Sequence, residues 1–381
     1  MLSSKDVKSE VEFYLVDAFE IFHYLPICQE LVRRGVKATI VAEPCSINTS
    51  GSWFDYDTAI RILEENRIPY SVECNPDACV SLTTQMSSVL KKYKNCKINV
   101  PYGISLIKSS FSLCDISCSG FDAKLVHGCF SKKTLLPIMD RHDIHPVGYP
   151  KHDSYFINKP RKEIILQQLG IDTNKPILVY LPTYDDDSSI QMFCDEINAL
   201  RDKFYIVTKP HHCTARLPEK KYDLETLYAV SDCVVDGNFS FSDVCSCADF
   251  YITDAKSGAS LEALYINPKP AIFLTPRTGS EFRQFYSEIF KIAPVINAQG
   301  LLASSVEKIF KDNFFVDDKL VESFLGKRDG HSSERAANVI MKYCQSSAKE
   351  KMVTANKCDV VEAMNPSSGA GGSKANANED V

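Results

Sequence analysis

The chain is 381 residues long, beyond the roughly 250 to 300 residues at which a single hydrophobic core stops growing, so two domains are expected. It is 44% hydrophobic and 24% charged, the composition of an ordinary globular protein. A net charge of −6, without a clustered basic stretch, argues against nucleic acid as a partner and requires any anionic ligand to be held locally. The first segment, "EVEFYLVDAFEIFHYLPICQELVRRGVKATIVAEP", reads as strand, loop, helix, glycine stop and strand. Ile27, Leu31 and Val32 are expected on one helical face, Gly35 at the C-terminal cap, and Ala38 to Val41 as the strand. "DTAIRILEENRIPYSVE" and "TTQMSSVLKKYKNCKINVP" repeat the arrangement. A second series begins near Lys175 with "KPILVYLPT" and continues through a helix to Ile197, "KFYIVTKP", "CVVDG", "DFYITD" and "KPAIFL", five strands in all. The stretch "HPVGYPKHDSYFINKP" between the two series has the Pro and Gly content of a connector. Three helical stretches close the fold, the last from about Ser332 to Cys344.

Strands alternating with helices imply parallel sheets covered on both faces. The expected class is therefore α/β and GT-B-like, two doubly wound Rossmann-like domains facing across a cleft, an architecture shared by GT-B transferases and sugar 2-epimerases. The expected division is an acceptor-side domain over residues 1–150, a nucleotide-donor domain with closing helices over 151–346, and a disordered polar tail over 347–381. Fifteen cysteines lie scattered through the chain, including Cys28, Cys79, Cys129, Cys194 and Cys233 in apolar runs. The N-terminus shows no charged-then-apolar leader, so a reducing cytoplasm is the expected home. The short pairs Cys114/Cys118 and Cys245/Cys247 lack the second half of a structural zinc site, and neither a metal nor a cofactor is expected. No stretch approaches the roughly 18 uninterrupted apolar residues of a spanning helix, which leaves peripheral membrane contact at the inner face.

In paired doubly wound domains, ligands sit at the carboxyl ends of the strands, so residues just after strands are the candidates. Thr183 stands at the tip of "ILVYLP". The acids Asp185, Asp186 and Asp187 that follow point in different directions and read as a solvated helix start rather than a cation site. After "FYIVT", Lys209 and His211 together suit a diphosphate, and His211 can pass a proton to a leaving phosphate. In "ADFYITDAKSGASLEALY", Asp254 ends a strand, and either it or Ser257 caps a helix whose free N–H groups suit an anion. There Gly258 permits close approach, Lys256 adds positive charge, and Glu262 lies one turn deeper, where ribose hydroxyls could donate to it. On the N-terminal side Asp17 and His23 sit where an acceptor pocket opens, Tyr102 and Gly103 follow "KINV", and His127 and Gly128 lie in "KLVHGCF". Each of these histidines reads as readily as a surface or interior hydrogen-bonded residue.

At these residues the chain resembles the CDP-glycerol glycerophosphotransferases of teichoic acid and capsule synthesis. The stretches that carry the resemblance are "VGYPKHD", "ILVYLPTYDDD", "IVTKPHH", "ADFYITDAKSGASLEALYINPKPAIFL" and "DGHSSERAANVI", from about residue 147 to 340. It implies a metal-independent GT-B transferase using a nucleotide-diphosphate donor, CDP-glycerol or a nucleotide sugar, and a polyol or glycan acceptor. By match to the family motifs, Pro150 and Asp153 belong to the linker, His211 contacts the donor diphosphate, and Asp254 and Ser257 form the donor turn. Ser333, Glu334 and Arg335 match the closing motif. The family's N-terminal His-Gly, whose histidine is its expected base, is replaced here by Tyr102-Gly103; a tyrosine with a pKa of about 10 is a poor base at neutral pH. His23, His127 and Asp17 are the alternative bases. A nucleotide-sugar 2-epimerase and a non-catalytic nucleotide-binding relative are the competing expectations.

Overall fold

The computed structural model describes residues 10–16, 20–44, 56–82, 87–101, 120–136, 143–235, 239–276, 291–311 and 316–346. Among these, two wholly parallel sheets organise the chain. The first contains β1 (Glu10–Tyr14), β2 (Lys37–Val41), β3 (Tyr70–Ser71), β4 (Cys79–Leu82), β5 (Lys97–Asn99), β6 (Ala123–Val126) and β7 (Ile144–Pro146) in the order 3-2-1-4-5-6-7. The second contains β8 (Ile177–Leu181), β9 (Tyr205–Thr208), β10 (Cys233–Val234), β11 (Phe250–Asp254), β12 (Ala271–Leu274) and β13 (Val295–Ile296) in the order 10-9-8-11-12-13. Each sheet reverses its winding once, between β1 and β4 and between β8 and β11. Such switch points open a crevice at the carboxyl ends of the strands.

Period-two alternation explains why both faces of the second sheet are covered. Ile177, Val179 and Leu181 face one core with Tyr251, Phe273, Leu261 and Leu264. Leu178 and Tyr180 face the other with Phe250, Ile252, Ile272 and Phe193. In the first sheet Val11, Phe13 and Leu15 pack on Tyr24, Ile27 and Leu31 of the helix Ile21–Arg33. That core is completed from the far end of the chain by Ala336, Ala337, Ile340 and Cys344 of the helix over 332–346.

Several expectations are corrected. Val32 is 47% exposed; five residues of a 3.6-residue helix carry it about 140° away from Ile27. Four short strands, β4, β6, β7 and β13, were not expected. The presumed connector itself supplies β7, a 3₁₀ turn Pro150–His152 and the helix Asp153–Ile157. Cys129 is exposed and Cys194 and Cys233 are half-buried, while Cys28, Cys79, Cys245 and Cys247 are buried. Gly35, with φ of +80°, does end its helix: Val36 N–H reaches back to the Leu31 carbonyl. Cys114, Cys118 and the tail over 347–381 lie outside the described residues.

The linker and the closing motif interlock. Asp153 caps the closing helix by accepting the Ser332 and Ser333 N–H groups at 3.0 and 2.6 Å. Arg335 donates to the Val147 carbonyl at 2.8 Å and forks onto Asp329. Gly148, with φ of +95°, passes so close beneath Ser332 that a Cβ would stand 2.3 Å from its hydroxyl. The polar residues of "VGYPKHD" and "DGHSSER" thereby join the two domains. Among the described residues no helix is long and apolar enough to cross a membrane.

Candidate functional site

The tips of β8, β9 and β11 lie side by side at the switch point of the second sheet, and their following loops build the site. Asp254 is fully buried, and one carboxylate oxygen accepts the N–H groups of Thr183 at 2.7 Å and Ser189 at 3.2 Å. Both ends of the loop 183–189 are thus tied to β11. Burial pushes the Asp254 carboxyl up to about 7 against the pull of its hydrogen bonds. In this structure Thr183 and Asp254 serve each other and shape the loop.

Within the loop, Asp185 accepts the Asp187 N–H at 3.1 Å through its side chain and the Ser188 N–H at 3.0 Å through its backbone. Asp185 and Asp186 are exposed, but Asp187 is not the solvated acid expected of it: it pairs with Lys256 Nζ at 2.7 Å, both side chains largely covered. Ser257, rather than Asp254, caps the helix Gly258–Ile266, its hydroxyl accepting the Ala259 N–H at 3.2 Å. A Cβ added to Gly258 would meet nothing within 4 Å. The space that a side chain at Gly258 would take is therefore open.

At the neighbouring tip, His211 caps the short helix His212–Arg216, its Nδ1 accepting the Cys213 N–H at 3.2 Å. That bond leaves the ring proton of the neutral form on Nε2. The ring stacks on Tyr184 at 4.4 Å between centroids. Tyr184 in turn lines a cavity of about 360 Å³ with Asp185, Asp186, Asp187, Leu217, Glu219 and Lys220. Lys209 donates to the Phe239 carbonyl at 3.0 Å. The ligand atoms of His211, His212 and Cys213 lie within 4.8 Å of one another, a group able to hold a metal ion.

Glu262 does not stand open at the helix start. It is 8% exposed and faces the linker. Lys151 Nζ at 2.8 Å and His152 Nε2 at 2.7 Å reach one of its oxygens, and the Tyr149 hydroxyl donates to the other at 3.3 Å. Burial would raise this carboxyl, but the charge of Lys151 and the bond from His152 outweigh it and hold it well below the usual range. Burial also lowers His152, against the opposing pull of the Glu262 carboxylate.

The described acceptor-side candidates are packed rather than presented. His23 and His127 are 3% and 5% exposed and lie against the Tyr149 ring, at 5.9 and 4.3 Å between centroids. Burial brings His127 down to about 3 and His23 well below its ordinary value, so both are neutral at pH 7. The Nε2 of His127 has no hydrogen-bond partner. Gly128 beside it is a packing residue, since a Cβ would stand 2.2 Å from the Ser323 carbonyl. Asp17, Tyr102 and Gly103 lie outside the described residues. Sequence reasoning missed Asp187, Tyr149, Lys151 and His152. The one signal for Asp187 was that an acid run and a lysine follow what prove to be adjacent strands.

The comparisons with known proteins agree with this architecture. Residues 105–342 match the model of the CDP-glycerol:poly(glycerophosphate) glycerophosphotransferase family. A teichoic acid glycerol-phosphate transferase of Staphylococcus aureus is 24% identical over 225 residues, 54% of this chain and 56% of that protein, so the chain spans about half the length of this relative. The structure of the wall teichoic acid polymerase TagF superposes with a TM-score of 0.57 at 14% identity, covering 89% of each chain. A UDP-GlcNAc 2-epimerase from Neisseria meningitidis, bound to UDP-GlcNAc, gives 0.58 at 14% identity over 88% of this chain and 100% of its own. At such identities these structures speak to the fold alone, which is GT-B-like in both domains. With the family model spanning well over half of its residues, the chain belongs to the CDP-glycerol:poly(glycerophosphate) glycerophosphotransferase family.

Proposed function

We propose that the chain is a metal-independent transferase that moves a glycerophosphate or related polyol-phosphate or sugar unit from a nucleotide-diphosphate donor of the CDP-glycerol kind to a surface glycan or polymer acceptor. The observation that carries the reading is the helix start at Ser257, with room for a side chain at Gly258 and Lys256 next before Ser257 in the chain, inside the residues that match the family. The positive end of the helix dipole favours a diphosphate there, although Ser257 already takes the Ala259 and Ser260 N–H groups. Lys256, Lys209 and the Nε2–H of His211 are suited to offset the charge that grows on the leaving nucleotide, and the fixed tautomer of His211 suits it to donate a proton there. The TagF relative has been solved in a variant soaked with CDPG, which supports a donor of this class. The base that takes the acceptor proton is assigned to the domain over residues 1–150, among Asp17, His23 and Tyr102. A cytoplasmic site of action at the inner membrane face is part of the reading, since a charged nucleotide is costly to bring into a bilayer.

The second reading is a nucleotide-sugar 2-epimerase, favoured by the superposition with the 2-epimerase and by a glutamate on the donor helix. One assay separates the readings: CDP-glycerol with a polyol or glycan acceptor in excess chelator, beside UDP-GlcNAc with no acceptor. Release of CMP that depends on acceptor and survives chelation supports the transferase. Acceptor-free epimerisation would replace it with the second reading, and tight nucleotide binding without turnover in either arm would point to a non-catalytic relative.

A further inference from the structure

We propose that Asp187 is an internal stand-in for the donor's phosphate: a fixed carboxylate that holds Lys256 whenever no nucleotide does, tempers nucleotide affinity and takes Lys256 back as the product nucleotide leaves. The inference rests on the donor reading above and deepens it. Asp187 reaches Lys256 Nζ at 2.7 Å, and the two side chains are 18% and 11% exposed, so the pair is neither a surface accident nor a deeply buried bridge. Its position is imposed rather than adaptable. The loop is clamped at Thr183 and Ser189 to the same carboxylate oxygen of Asp254, and Asp185 closes a turn by accepting the N–H of Asp187. Lys256 immediately precedes the capping Ser257, and beyond Ser257 lies the open face of Gly258. An anion that reaches Lys256 there meets an ammonium already engaged by a carboxylate of the anion's own sign.

The consequence is a competition for one cation. A phosphate gains less from Lys256 than it would from a free lysine, and repulsion from Asp187 adds to the loss. Asp185 and Asp186, exposed on the same loop, reinforce that repulsion. After transfer, the remaining nucleotide phosphate must hold Lys256 against a carboxylate fixed at bonding distance, and release is favoured. Asp187 is therefore expected to weaken binding of the molecule it helps to process, the reverse of what a merely structural loop residue does.

The experiment is calorimetry of CDP and CMP on the full chain, on Asp187→Asn and, as a second variant of different shape, on Asp187→Ser, with thermal unfolding of each. Both nucleotides are expected to bind either variant about tenfold tighter, the scale of one partly covered charge pair. Inhibition by CMP should strengthen in step. Adding Lys256→Gln to Asp187→Asn should abolish the gain, which ties the effect to the pair. Unchanged or weaker binding in both folded variants would overturn the inference while the donor reading stands, because the unaltered chain still binds CDP. Failure of the unaltered chain to bind either nucleotide would overturn both.

Discussion

In the domain of the second sheet, two charged groups are held by side-chain partners: Lys256 by Asp187, and Glu262 by Lys151 and His152. Along the first sheet, the described candidates, His23 and His127, are buried around the Tyr149 ring and stripped of charge by desolvation. The contrast follows from what each side is proposed to meet. A donor diphosphate is met by cations, and a cation beside a cleft stays charged when a carboxylate accompanies it. A neutral hydroxyl acceptor makes no such demand. The difference teaches that the described candidates of the second sheet are organised by electrostatics and those of the first by packing.

The sharpest way to break that comparison is Asp254→Ala. If Asp254 is scaffold, the change strands the Thr183 and Ser189 N–H groups at about 1 to 3 kcal/mol each. Stability and CDP binding should then fall together, as thermal unfolding and calorimetry will read, whereas a normal unfolding temperature with lost binding would make Asp254 a ligand contact. The same residue separates the two sides by pH. Its folded value, about 7, lies above its ordinary 3.8, so its contribution is complete below pH 3.8 and is lost as pH rises through about 7. His127 has the opposite sign: its folded value, about 3, lies below 6.5, so its contribution is complete above pH 6.5 and is lost as pH falls toward 3. Unfolding free energies measured across that range should show Asp254→Asn removing the first dependence and His127→Asn the second.

Next in size, His211→Ala is expected to lower transfer by about a hundredfold, the usual scale for a positioned proton donor. Turnover within a few-fold of the unaltered chain would remove His211 from the mechanism and leave Lys256 and the helix start to carry the donor side. The smallest effect on folding is expected from Gly258→Ala. With nothing within 4 Å of the new methyl, stability should change by less than about 1 kcal/mol, while CDP binding weakens because the methyl occupies the approach to the helix start. Equal CDP affinity in that variant would move the diphosphate elsewhere.

Much of this molecule is legible in its residues. The strand at Phe250–Asp254, the cap at Ser257 and the helix after it are written in neighbouring side chains, because hydrophobic period and capping act over a few residues. The short strands β4, β6, β7 and β13 fall below what periodicity resolves, and the sheets around them secure them. The same limit explains Val32, placed by apolar character on a face that helical geometry denies it.

The motifs divide in the same way. "VGYPKHD" and "DGHSSER" are recognisable as strings, yet their work is mutual: Asp153 caps the helix that begins at residue 332, across 179 residues of chain. What the sequence by itself determined is the alternation of strands and helices, the double winding it implies, and which polar residues follow the strands. Only the tertiary structure decided the partners: that Asp187 holds Lys256, that Glu262, 111 residues from Lys151, turns to the linker rather than outward, and that His23 and His127 lose their charge. The reason is that local sequence specifies backbone geometry, whereas the state of an ionisable group depends on burial and on neighbours that arrive only when distant segments pack.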